Sequence, residues 1–134
     1  MDLLNADHSY ATHFKECLEA VVPGLYRDFS IAATLPEEQA MRLLSEMFET
    51  GCQAQNHANI MLGRNLAVRL PREWLIARFE EAAAATIDMD DDWEFRRALE
   101  IALLLDDGLV KRWARRGLSS PNPEIVEIAE TYSS

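Results

Sequence analysis

Cysteine, glycine, proline and base are all scarce in this sequence. Two cysteines, Cys17 and Cys52, sit far apart and in no paired motif. That excludes a disulfide scaffold and suits a reducing, cytoplasmic interior. No apolar run exceeds a handful of residues, and the first ten residues, MDLLNADHSY, carry two acids and no base. Neither a membrane-spanning helix nor a secretory leader is therefore expected. Lys and Arg total 13 against 23 Asp and Glu, a formal net charge of -10. Such a balance opposes sequence-independent binding to nucleic acid or to anionic membrane surfaces and favours a basic protein partner. The five glycines and five prolines fall between apolar-periodic segments, where they act as punctuation, and no segment alternates as a strand does.

What is present is helical periodicity. The chain has 134 residues, 49% of them apolar, enough for one domain that folds without staples. Tyr10, Phe14, Cys17, Leu18, Val21 and Val22 form one stripe of a helix ended by Pro23-Gly24, and a shorter helix is expected over Leu25–Ala33. Thr34-Leu35-Pro36-Glu37 has the form of a capping box before a helix whose left-handed stop is Gly51. Cys52 to Leu70 reads as a helix that ends or bends near Gly63, and Pro71 opens the next. One of Asp90, Asp91 and Asp92 caps a central helix from Trp93 to Leu105, with Phe95, Leu99, Ala102 and Leu103 in line. A short helix follows Asp106-Asp107-Gly108 and stops at Gly117, and Asn122-Pro123 starts the last. Short connections between seven or eight helices predict an all-α protein built from irregular antiparallel helical hairpins, with a compact helical bundle as the alternative.

The C-terminal half carries a resemblance. Leu70 to Trp74 (an apolar-Pro-Arg-Glu-Trp start), the turn Ile87 to Asp91, the Trp-Glu-aromatic-Arg-Arg run Trp93 to Arg97, and Asn122 to Ile125 together resemble the HEAT-like helical repeats of small bacterial immunity proteins. The resemblance implies repeats over 66–134, with residues 1–65 as an N-terminal helical cap. It also implies a non-enzymatic protein that neutralises a toxin by covering it.

The residues themselves offer one main candidate surface. From Glu80 to Glu94 there are seven acids and no base. Glu80, Asp88, Asp90, Asp91, Asp92 and Glu94 make a belt whose potential would steer a basic partner. Trp93 beside it is the hot-spot candidate, since a side chain in a helix's first turn readily stays partly wet. Asp-x-Asp-Asp-Asp lacks the glycine and distal glutamate of a calcium loop, so no metal is assigned to it and no cofactor is implied. The cations of Lys111-Arg112-Trp113-Ala114-Arg115-Arg116 are expected to pair with Glu124, Glu127 or Asp107. A rival reading, a metal-binding or enzymatic protein using His8, His13, Cys17, Cys52 and His57, competes with assigning Cys17 to the core stripe and His13 to its edge. A second rival is a homodimeric structural or regulatory subunit joined through an apolar helix face.

Overall fold

The computed structural model describes residues 2–134, and among them every regular element is helical. Helix α1 (Ser9–Val21) is capped by His8, whose Nδ1 accepts from the Ala11 amide at 3.1 Å, and ends where Gly24 turns left-handed with φ 88°. The expected helix over Leu25–Ala33 is two 3-10 turns instead, Leu25–Arg27 and Phe29–Thr34. Asp28 breaks them apart: its backbone is extended and its carboxylate accepts from the Ser30 amide. The capping box does not form either. The Thr34 hydroxyl turns back to donate to the Ile31 carbonyl at 2.7 Å, and α2 (Glu37–Phe48) begins without a side-chain cap.

Gly51 is not a left-handed stop. It lies within a π-helical turn, Glu49–Gln53, and Gly63 neither ends nor bends α3 (His57–Arg69), which is capped by Asn56 and continuous. The two glycines are there for each other. A Cβ placed on Gly63 would stand 2.4 Å from the Gly51 Cα and 2.9 Å from its amide nitrogen, so the turn and the helix touch backbone to backbone.

The remaining elements follow the sequence closely: α4 (Arg72–Thr86), α5 (Asp92–Leu105), α6 (Asp107–Arg115) and α7 (Pro123–Tyr132). Asp91, Asp106 and Asn122 cap α5, α6 and α7 through their side-chain oxygens. Helix α2 packs on α4, α3 on α5, α5 on both α6 and α7, and α6 on α7, while α1 lies against α2 and α3. One contiguous core runs from Leu4 to Ile128. Its aromatic centre is Trp113, stacked on Phe95 at 5.4 Å and edge-on to Phe79 at 5.8 Å, with Phe48 edge-on to Phe79 in turn. Helix α5 touches α3, α4, α6, α7 and the π-helical turn, as its two-sided apolarity implies. Leu103 departs from the expected line: with Leu104 it stands about half exposed, at 49% and 50%. No helix among the described residues is long and apolar enough to cross a membrane.

Candidate protein-binding surface

The turn between α4 and α5 is built by its own carboxylates. Asp88 accepts from the Asp90 amide at 2.9 Å, Asp91 accepts from the Glu94 amide at 3.1 Å, and the Glu94 carboxylate reaches back to the Asp88 amide at 3.1 Å. These are reciprocal caps of the kind that satisfy the orphan amides of a helix start and favour its positive end. Asn122 at the start of α7 donates to the Asp90 carbonyl at 3.0 Å and ties the turn to the next hairpin. Three members of the predicted belt thus spend their side chains on backbone.

Glu80 leaves the belt altogether. It accepts from Arg112 at 3.1 Å and from Arg116 at 3.2 Å, which joins α4 to α6. The basic cluster therefore finds its partner here, and not at Glu124, Glu127 or Asp107 as the sequence spacing implied. The reason is tertiary, since the faces of α4 and α6 that meet are 32 residues apart in the chain. Asp90 and Asp92 remain, with no cation of the chain within ion-pair distance among the described residues. Trp93 stands beside them at 42% exposed. Arg97 covers one face of its indole, with the guanidinium carbon 4.0 Å from the ring centroid. That arginine is fixed by Glu100, which also pairs with Arg64 of α3 at 3.0 Å, so the tryptophan is presented on a braced helix. Of the other two tryptophans, Trp113 is fully buried and Trp74 half-buried.

This division is testable by stability alone. Replacing Asp91 by Ala removes the α5 cap and is expected to cost about 1 kcal/mol in urea unfolding, while Asp91→Asn is nearly neutral because asparagine caps equally well. Asp92→Asn should change stability by less than about 0.5 kcal/mol. Equal losses for Asp91→Ala and Asp92→Asn would show that the turn is not built this way.

The histidines and cysteines of the rival reading do not gather into one site among the described residues. His8 is a cap, Cys52 is fully buried, and His57 is exposed in the first turn of α3. Burial pushes the Cys52 thiol up to about 12, so it holds its proton at neutral pH. Among the described residues no three His, Cys, Asp or Glu side chains are gathered to hold a metal ion. His13 and Cys17 do meet, with Nε2 and Sγ 3.6 Å apart. They lie on the wall of a groove of about 510 Å³ bounded by α1, the end of α2, the π-helical turn and the start of α3. Cys17 is thus a groove residue and not a core one, and Tyr10, expected on the same buried stripe, is half exposed at the groove's edge.

Glu46 and Glu49 line this groove too, and nothing in the sequence marked them. Burial raises the Glu46 carboxyl above its ordinary value, with Glu49 adding to the rise. Burial likewise raises the Cys17 thiol, helped by Glu46 and Glu16. Two polar residues at the end of the turn and just past it have structural roles: Gln53 donates to the Thr86 carbonyl at 3.0 Å, and Asn56 caps α3.

Comparison with known proteins finds no matching family model, no similar curated protein and no similar solved structure. Fold and surface define an all-helical protein with an arginine-braced tryptophan beside an acidic turn.

Proposed function

We propose that this chain is a non-enzymatic binding module for a basic protein, of the immunity type that inhibits a toxin by covering it. The observation that carries the reading is Trp93, an exposed indole held rigidly next to Asp90 and Asp92 on a strongly acidic molecule. A partly exposed tryptophan anchors an interface when a partner desolvates it, and adjacent carboxylates steer a cationic surface towards it. HEAT-like stacking of residues 66–134 is part of the proposal, since stacked hairpins offer an extended binding face.

The test is retention of partners from a lysate of the producing cells, followed by titration of the purified retained protein. A basic protein is expected to be held at low salt and released at high salt. Trp93→Ala should weaken it by about 30-fold, the equivalent of a 2 kcal/mol anchor. Asp90→Lys with Asp92→Lys should mainly slow association and flatten the salt dependence. Identical affinities for wild type and both variants would remove the reading. The exposed pair Leu103 and Leu104 supports a second reading, a homodimer through α5, and a concentration-dependent sedimentation coefficient abolished by Leu104→Glu would favour that one instead.

A further inference from the structure

From the open side of α5 we infer that two copies of this chain pair through that helix, antiparallel, about a two-fold axis passing between Arg97 and Glu100. The inference rests on the second reading above, the homodimer through α5, and fixes its register. Among the described residues α2, α4 and α6 expose no large apolar side chain, whereas α5 exposes three, Trp93, Leu103 and Leu104. The helix already packs on α3, α4, α6 and α7, so these three lie on the side that the chain leaves uncovered.

The order of residues along that side selects a second copy as its occupant. Trp93, Arg97, Glu100 and Leu104 fall at i, i+4, i+7 and i+11, one stripe along the helix. The stripe reads apolar, cation, anion, apolar, and turned end for end it reads apolar, anion, cation, apolar. It is therefore complementary to its own reverse: Trp93 meets Leu104 of the second copy and Arg97 meets its Glu100, each contact occurring twice, as a two-fold interface requires. A parallel pair would instead set arginine against arginine and glutamate against glutamate. The charges are ordered before pairing, since Glu100 accepts from Arg97 at 2.8 Å and from Arg64 at 3.0 Å while Arg97 stacks on Trp93. One cation and one carboxylate make the stripe neutral, which lets it meet itself in a chain of net charge -10 whose copies otherwise repel. Pairing covers Trp93, so capture of a basic protein there belongs to the separated chain.

Sedimentation equilibrium of the full chain over a range of concentrations gives the test. The wild type is expected to self-associate, and more tightly as salt screens the repulsion between copies, the opposite of a basic partner's release. Leu104→Glu should abolish the pair. Arg97→Glu and Glu100→Arg should each weaken it by about tenfold or more, and an equimolar mixture of the two should associate again, because each supplies the charge the other lacks. Cross-linking in a Cys17→Ser background reads the register: under mild oxidant Leu104→Cys should form no disulfide with itself but should form one with Trp93→Cys. Circular dichroism shows whether each variant is folded. A wild type that stays monomeric at every concentration overturns the pairing and the homodimer reading together. Self-cross-linking of Leu104→Cys, or no recovery in the mixture, overturns the register alone and leaves a homodimer through α5 standing.

Discussion

Trp113→Ala is expected to lower the free energy of unfolding by about 3 to 5 kcal/mol, the range for truncating a fully buried aromatic. On a domain of ordinary stability, roughly 5 to 15 kcal/mol in total, that is a large share. The indole touches neighbours from two other helices: its ring stacks on Phe95 of α5 and meets Phe79 of α4 edge-on, and its Nε1 donates to the Phe95 carbonyl at 3.3 Å. Removing it empties the junction of α4, α5 and α6 at once, and three helix axes cannot all close in on the same void. Trp113→Phe keeps a ring against Phe95 and should lose markedly less. Because Trp93 rides on the same helix as Phe95, the alanine variant should also loosen the proposed binding face. Urea unfolding followed by circular dichroism reads the stability. A loss below about 1 kcal/mol would mean that this aromatic cluster is not the centre of the core.

Gly63→Ala carries the second large effect, and its sign alone is informative. Helix propensity by itself predicts that alanine in the middle of α3 stabilises the protein by up to about 1 kcal/mol. The packing predicts the reverse. The new Cβ would meet the Gly51 Cα, the Gly51 nitrogen and, at 3.1 Å, the Met47 carbonyl oxygen, all of them backbone atoms that cannot swing aside. Overpacking of this kind costs typically 1 to 3 kcal/mol, so a net destabilisation near 2 kcal/mol is expected. A rise in melting temperature would show that α3 and the π-helical turn are not in backbone contact. Gly51→Ala is milder, because its Cβ would meet the Gly63 Cα at 3.1 Å and otherwise the movable Ile101 side chain.

Carboxylate titration divides along the same structural lines. Backbone hydrogen bonds from the Tyr26 and Gly24 amides hold the Glu19 carboxyl below its usual value. Its stabilising contribution is therefore present above the unfolded value and fades as pH falls through the folded one. Glu46 has the opposite sign. Its raised value means that the fold disfavours the charged form, so its contribution is best at low pH and is lost as pH rises through the folded value.

Most helix positions and the all-α class were legible in the chain because they rest on local physics, though the helix expected over Leu25–Ala33 is two 3-10 turns and the one expected from Cys52 starts only at His57. Apolar spacing near 3.6 residues, a side chain that can bond an amide two or three residues on, and a proline that cannot donate all act within one or two turns. Asp91, Asp106 and Asn122 cap their helices for that reason, and Gly24 takes the left-handed turn after α1. Local rules failed where a distant partner outbid them. Gly51 and Gly63 look like punctuation in sequence, yet their lack of side chains serves a contact between two segments. Thr34 is a different case: it has the right spacing for a capping box, but a local competitor, the Ile31 carbonyl of its own 3-10 turn, takes its hydroxyl.

The candidate surface divides in the same way. Sequence alone determined that this protein is helical, acidic and endowed with a carboxylate-rich turn ahead of a tryptophan, since composition and short-range hydrogen bonding decide those properties. Only the tertiary structure decided which charges stay open. Packing α4 beside α6 spent Glu80 on two arginines, and packing α1 across α2 and α3 set His13 and Cys17 over a groove shared with Glu46 and Glu49. Ion pairing and groove chemistry depend on distances between residues tens of positions apart, and those distances exist only once the helices have docked.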